Sequence, residues 1–267
     1  MATLVCFHAH PDDEAIATGG TMARAAADGH RVVLVVATGG EHGETPGDLA
    51  PGESLAHRRA TETDRSAASL GVSKVYRLGF ADSGMTGWEQ NGHLEAFMNV
   101  PVETAAEQLA EILRAEDATV LTIYDWHGNY GHPDHIAVHR VGRRAGEIAA
   151  TPYIYEATMN RDKVVEFIEA ARAGGHEVDF DPDGTDDGNP FGMPEAELTT
   201  AIDVSLFIAA KRASMSCHAS QISDSSFFMQ MPPETFSAAF GTEWFIRVGA
   251  APGIREDWLA GMTMDEG

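Results

Sequence analysis

Two short polar clusters hold residue types that can do chemistry together: His10-Pro11-Asp12-Asp13-Glu14 and Tyr130-Gly131-His132-Pro133-Asp134-His135. In the first, His10 and Asp13 stand three residues apart where a strand should turn into a helix, so both side chains can point into one pocket mouth. A neutral imidazole and a carboxylate suit zinc, whose catalytic sites take three protein ligands and leave one position for water. Asp12 and Asp13 place two carboxylates side by side, which is costly unless a cation sits between them. In the second cluster Pro133 suits a first helical turn. His132 and His135 are three apart and can face one site from a helix start. His139 widens the choice, because His135 and His139 also have ligand spacing on one helical face. Spacing alone leaves His132, His135 and His139 all open as a third ligand. A lone histidine at a strand end is more often a hydrogen-bonded structural residue than a ligand. Two His/Asp clusters after two strands of one sheet make coincidence a poor explanation.

The elements that must position these clusters are legible as alternating strands and helices. Thr3–His8 is an apolar run ending at the first cluster, and Gly19-Gly20 opens a helix through Ala27 that Gly29 closes. Arg31–Ala37 is a nearly continuous β-branched run stopping at Thr38-Gly39-Gly40. Glu53–Leu70 has helical spacing, Lys74–Leu78 reads as a strand, Val102–Ala115 as an amphipathic helix and Thr119–Tyr124 as a buried strand. Strands apolar on both faces, alternating with helices, indicate a parallel sheet covered on both sides. The expected fold is α/β: a Rossmann-like, doubly wound, mostly parallel sheet, with residues 1–150 as the core carrying the metal site. Residues 151–267 read as a smaller C-terminal subdomain of the same single domain, with a helix at Asp162–Ala173, a loop over Gly174–Pro194, a helix at Ser205–Ser220 and a late strand at Thr242–Val248.

Composition bounds the function class. A formal charge of −23 over 267 residues, with Lys74, Lys163 and Lys211 the only lysines, argues against binding nucleic-acid backbones. No apolar stretch is long enough to cross a bilayer. The N-terminus lacks a basic region, and a signal-peptide cleavage site would fall inside the first cluster, so a cytoplasmic protein without membrane insertion is expected. Cys6 and Cys217 are far apart and suggest neither a disulfide framework nor a thiolate metal site. The oligomeric state is unreadable, and a homo-oligomer stays open.

The two clusters together resemble the paired motif of the PIG-L/LmbE-like deacetylases. Further pieces resemble the mycothiol-pathway branch of that family: Gly40-Glu41 with Gly43-Glu44, Arg59 with Glu62, Asp82-Ser83-Gly84-Met85, and Lys211 followed by His218-Ala219-Ser220-Gln221. The resemblance implies a zinc-dependent hydrolase that removes an N-acetyl group from a small GlcNAc-containing amino-sugar substrate. It implies His10, Asp13 and His135 as ligands, Asp12 as general base and His132 as transition-state partner. Tyr130 would polarise the carbonyl, and Asp134 would orient His132 or tune its pKa. His139 is left with a supporting role. Iron(II), cobalt or nickel would suit such a His₂Asp site as well as zinc.

Arg59, Asp82, Glu44 and His42 are candidates for gripping a polyol through charge-assisted hydrogen bonds. The plainer reading of Arg59 and Glu62 is an exposed helix pair of little energetic value. Ala17 stands where mycothiol S-conjugate amidase carries a lysine linked to preference for the conjugated thiol, which weakens the reading as an amidase of a thiol conjugate or antibiotic precursor. A rival from another class is a metal- or sugar-binding protein without catalysis, but such a binder has no use for a general base. Separately, Asp179, Asp181, Asp183, Gly184 and Asp187 match the start of an EF-hand calcium loop, although Pro190 stands where the twelfth-position glutamate belongs. A solvated acidic loop or active-site lid accounts for them better.

Overall fold

A computed structural model describes residues 1–175, 180–185 and 187–263. Seven strands, β1 (Thr3–His8), β2 (Arg31–Thr38), β3 (Lys74–Phe80), β4 (Val120–Tyr124), β5 (Tyr153–Thr158), β6 (Thr200–Asp203) and β7 (Thr242–Arg247), form one sheet in the order β3-β2-β1-β4-β5-β7-β6. The first five are parallel, and β7 runs antiparallel to both β5 and β6. The helices are α1 (Asp13–Ala17), α2 (Gly19–Ala27), α3 (Leu55–Ser69), α4 (Val102–Ala115), α5 (Gly128–Gly131), α6 (Pro133–Ala149), α7 (Arg161–Ala173), α8 (Ile208–Cys217), α9 (Phe227–Gln230) and α10 (Pro233–Phe240). Among the described residues no helix is long and apolar enough to cross a membrane.

Successive residues of β1 feed two different cores, as the two-residue period of a strand demands. Val5 and Phe7 pack with Leu109, Leu113, Val138 and Val141 of α4 and α6, while Leu4 and Cys6 pack with Met22, Ile202, Val204 and Phe245. That second cluster includes side chains from the C-terminal part of the chain. The residues after 150 extend the same sheet, and their side chains complete the core under β1. Strands β5 and β6 are absent from the sequence reading. Glu156 interrupts the apolar pattern of β5, and four residues of β6 are too few to show a period.

β1 is flanked by β2 on one side and β4 on the other, so the chain's direction of winding reverses between β1 and β4. Crevices open at the carboxyl ends of strands at such a point. The first polar cluster follows β1 and the second follows β4.

Candidate metal centre and cleft

A cleft of about 330 Å³ is lined by His10, Asp12, Asp13, His42, Glu44, Arg59, Asp82, Met85, Trp88, Tyr130, His132 and Gln221. The sequence clusters therefore do meet. His10 Nδ1 lies 3.4 Å from Asp13 Oδ2, and His135 Nε2 lies 3.3 Å from the same oxygen. One nitrogen from each of His10, His132 and His135 lies within 4.8 Å of the others.

The outward side of each ring settles what the inward side offers. His135 Nδ1 is 3.2 Å from Gly128 O. A carbonyl only accepts, so Nδ1 carries the proton and Nε2 turns a lone pair inward. Tyr124 stacks on the His135 ring at 4.5 Å and holds its plane. His10 Nε2 is 3.2 Å from Asp134 Oδ2, another acceptor, so in the neutral ring Nδ1 is the inward lone pair. Two imidazole lone pairs and a carboxylate oxygen thus converge, and acceptors crowd together only around a proton or a cation. A metal ion satisfies all three at once, and histidines whose outer N–H is tied to an acceptor are the usual form of metal ligands. The donor set fits a metal site.

The electrostatics show how strongly the cluster attracts positive charge, which a proton on His10 or a metal ion would each supply. Burial would by itself favour neutral forms, yet His135 and His10 hold the Asp13 carboxyl well below the usual carboxylate range. Burial of His10 is likewise outweighed by Asp13, Asp134 and Asp82, which hold its imidazole well above the ordinary histidine value. Asp12 differs. Burial pushes its carboxyl up to about 6, with Arg59 pulling down and Asp13 pushing further up.

His132 is placed otherwise than His10 and His135. Its Nδ1 caps the start of α6 by accepting the Asp134 backbone N–H at 3.1 Å. Neutral His132 therefore carries its proton on Nε2, as a donor. Burial, followed by the charges of His10 and His135, pushes its pKa down to about 2. Asp134, expected to orient His132 or tune its pKa, meets that ring through its backbone N–H, while its carboxylate is placed elsewhere. It faces His10 and accepts from the backbone N–H and hydroxyl of Ser83. Helix geometry explains this: the Asp134 backbone amide is spent on the cap, and its side chain projects from the first turn toward β1. His139 faces away from the cluster, with Nδ1 3.1 Å from Tyr124 O and 3.5 Å from Glu156.

Glu156 carries a prediction of its own. Burial pushes its carboxyl up to about 7, against the pull of Arg143. A raised folded-state pKa means the protonated form contributes stability that is fully present below 4.5 and lost as pH rises through 7. Urea unfolding at pH 5 and pH 8 should show wild type losing more stability across that interval than Glu156→Gln. Equal losses would show that the carboxyl does not titrate there.

Around the cleft, Asp82 builds the loops more than it projects from them. It accepts from the backbone N–H groups of His42 at 3.1 Å and Gly84 at 2.8 Å, and lies 3.6 Å from His10 Nε2. Arg59 and Glu62 are no exposed helix pair, being 4% and 3% exposed. Arg59 donates to Gly40 O, Pro11 O and Asp12 Oδ2 (3.1 Å), while Glu62 accepts from Ser220. Glu44 and Gln221 exchange two hydrogen bonds, at 3.0 and 2.8 Å, across the cleft edge. Tyr130 places its hydroxyl 3.5 Å from His135 Nε2. Met85, Trp88 and Gln221 line the cleft without a role in the sequence reading. The signal that marks Trp88 is Gly84, whose φ of +67° and bare Cα admit the indole, an added Cβ meeting it at 2.8 Å. Gly128 is needed for a similar reason: at φ +67° a Cβ would strike His135 Cβ at 2.3 Å.

The acidic loop is described in part. Asp179 lies outside the described residues, Asp181 and Asp183 are exposed, and the Asp187 carboxylate folds back on Thr185 and Asn189, 3.5 Å from His127.

With this geometry in view, comparison with known proteins decides the family. The family model described as PIG-L, GlcNAc-PI de-N-acetylase, matches residues 5–146, which hold both polar clusters. The chain belongs to the PIG-L family. It is accordingly an enzyme of the deacetylase type. Among its relatives, the 1D-myo-inositol 2-acetamido-2-deoxy-alpha-D-glucopyranoside deacetylase of Acidothermus cellulolyticus is 38% identical, over 99% of this chain and 96% of that protein. The enzyme of the same name from Nocardiopsis dassonvillei is 39% identical, over 93% of this chain and 95% of that protein. Among solved structures, the N,N'-diacetylchitobiose deacetylase from Pyrococcus horikoshii, complexed with its inhibitor MPG, superposes with a TM-score of 0.59 at 23% identity, over 92% of this chain and 83% of that one. That last likeness is one of fold.

Proposed function

We propose that this PIG-L family chain removes the N-acetyl group from GlcNAc joined to myo-inositol, the compound in the names of its 38–39% identical relatives, with zinc held by His10, Asp13 and His135. The carrying observation is the convergence of His10 Nδ1 and His135 Nε2 on Asp13 Oδ2, with both outer ring nitrogens already beside acceptors. When bound, the ion supplies Lewis acidity for the amide carbonyl and lowers the pKa of water toward ~7.

The remaining work falls to the chain. Asp12 Oδ2 is held by Arg59, which leaves Oδ1 to take the proton of the attacking water. As negative charge gathers on the amide oxygen, His132 Nε2–H donates to it, with the Tyr130 hydroxyl as a further donor. Asp12 then returns its proton to the departing nitrogen. Glu44, His42, Asp82 and Arg59 form the polar wall for the sugar and inositol hydroxyls, and Met85 with Trp88 the apolar wall. This small polar substrate suits a cytoplasmic enzyme.

The test is acetate release by purified, metal-analysed protein against GlcNAc-inositol, chitobiose-type sugars and thiol conjugates of the inositol compound. The reading requires fastest turnover of GlcNAc-inositol. Faster release from the thiol conjugates, by cleavage of their larger amide, would replace it with the amidase reading.

The same assignment gives Asp134 a measurable role. As the carboxylate behind His10, it raises that ligand's basicity and fixes its ring, and loss of such a partner costs ~10–100-fold in metal affinity. Asp134→Asn should weaken zinc binding by that factor in competition with a chromogenic chelator. Unchanged affinity would mean the carboxylate does not serve His10.

A further inference from the structure

Asp12 sits in a backbone conformation that an L-residue avoids, with φ +102° and ψ −30°. Such a conformation persists only where its surroundings over-determine it. Arg59 holds the side chain and the preceding carbonyl. The backbone amide is held separately: Asp12 N–H donates to Glu14 Oε2 at 3.0 Å. Glu14 is fully buried, and its other oxygen accepts from Ser66 Oγ and His218 Nε2, each at 2.6 Å.

His218 closes α8 and is itself fully buried, 204 residues along the chain from Glu14. Its helix is pinned at the other end. Lys211 Nζ meets Glu243 Oε1 at 2.6 Å, and Glu243 accepts from the amides of Gly20 and Thr21 at the start of α2. The His218 ring therefore bears on Glu14 from a fixed support, and Glu14 bears on the strained amide of Asp12. No role in the chemistry described above calls for a buried charged pair here, and its removal from water is expensive unless geometry repays it.

We propose that His218 is a positioning residue for hydrolysis: through Glu14 it keeps Asp12 in its left-handed conformation with the carboxylate presented to the cleft. The inference rests on Asp12 being the base. Its consequence is a loss in kcat, since a small displacement of a reacting group can cost as much as ~10²-fold. KM and metal content should hold, because no contact with substrate wall or ligands is removed.

The test uses the full-length, zinc-loaded chain with acetate release from GlcNAc-inositol. His218→Ala should lose about 10–100-fold in kcat with KM and bound zinc as in wild type. His218→Gln, whose amide N–H still reaches Glu14, should recover most of the loss. Ser220→Ala removes a buried hydrogen bond in the same segment, to Glu62, and should lower the unfolding temperature while keeping kcat. Should His218→Ala fail to fold, His218→Gln and His218→Asn carry the same comparison, being alike in chemistry and different in reach. Wild-type kcat in His218→Ala alongside an inactive Asp12→Ala overturns the inference and leaves the base assignment standing. A loss in kcat that Ser220→Ala shares, or that appears with lost zinc or raised KM, also overturns it. A fully active Asp12→Ala defeats the underlying assignment of the base instead.

Discussion

Asp12→Ala should retain its metal and lose activity by about 10²–10⁴-fold, the range that general-base catalysis contributes. The residue lies next to Asp13 in sequence but not among the converging acceptors: its carboxylate is turned to Arg59. Removing it therefore leaves the inward nitrogens of His10 and His135 and the oxygen of Asp13 in place. Alanine at a positive φ is strained, so Asp12→Asn is the sharper companion. Asparagine tolerates that conformation and keeps an acceptor for Arg59, while lacking the basic oxygen. Zinc content is read by elemental analysis and turnover by acetate release. Equal metal and a collapsed kcat in both variants is the expected result, and a fully active Asp12→Ala enzyme would sink the assignment.

His135→Ala should fail one step earlier, by losing the metal itself. Its ring is clamped between Tyr124 and the cluster, tethered to Gly128 O, and contributes the nitrogen 3.3 Å from Asp13 Oδ2. Two remaining ligands cannot hold zinc against dialysis in a site built for three. The loss should exceed the ~10–100-fold expected when only an outer partner such as Asp134 is changed. His139→Ala is the control, since its ring bonds to Tyr124 O and Glu156 on the far side of α6. Zinc retained by His135→Ala and lost by His139→Ala would reverse the choice of third ligand.

That choice shows what spacing can and cannot carry. His132, His135 and His139 are equivalent on a helical wheel, but α6 begins between the first two. A residue at a helix start uses its side chain to satisfy the free amides of the first turn. His132 is so used through Nδ1, which leaves only Nε2 as a donor. The resemblance to the family motif sets His132 apart from His135 without a physical reason, and the cap at the start of α6 is the feature that distinguishes the two.

The parallel core and the meeting of the two clusters were legible because buried parallel strands read as apolar runs and sites gather at strand ends. For Arg59 and Glu62 the plainer alternative, an exposed helix pair, fails for the opposite reason. A charged pair on a helix looks exposed until its partners are known, and those partners are Pro11, Asp12 and Ser220, far away in the chain.

Local sequence thus settled what is periodic or contiguous: the strands and helices of the first 150 residues, and the donor types at the ends of β1 and β4. Tertiary structure decided what depends on approach from elsewhere. It turned the Asp134 carboxylate to His10, folded the C-terminal strands into the same sheet, and brought His218 against Glu14. A pattern along the chain records which faces are buried, but a hydrogen bond between residues two hundred apart leaves no period to read.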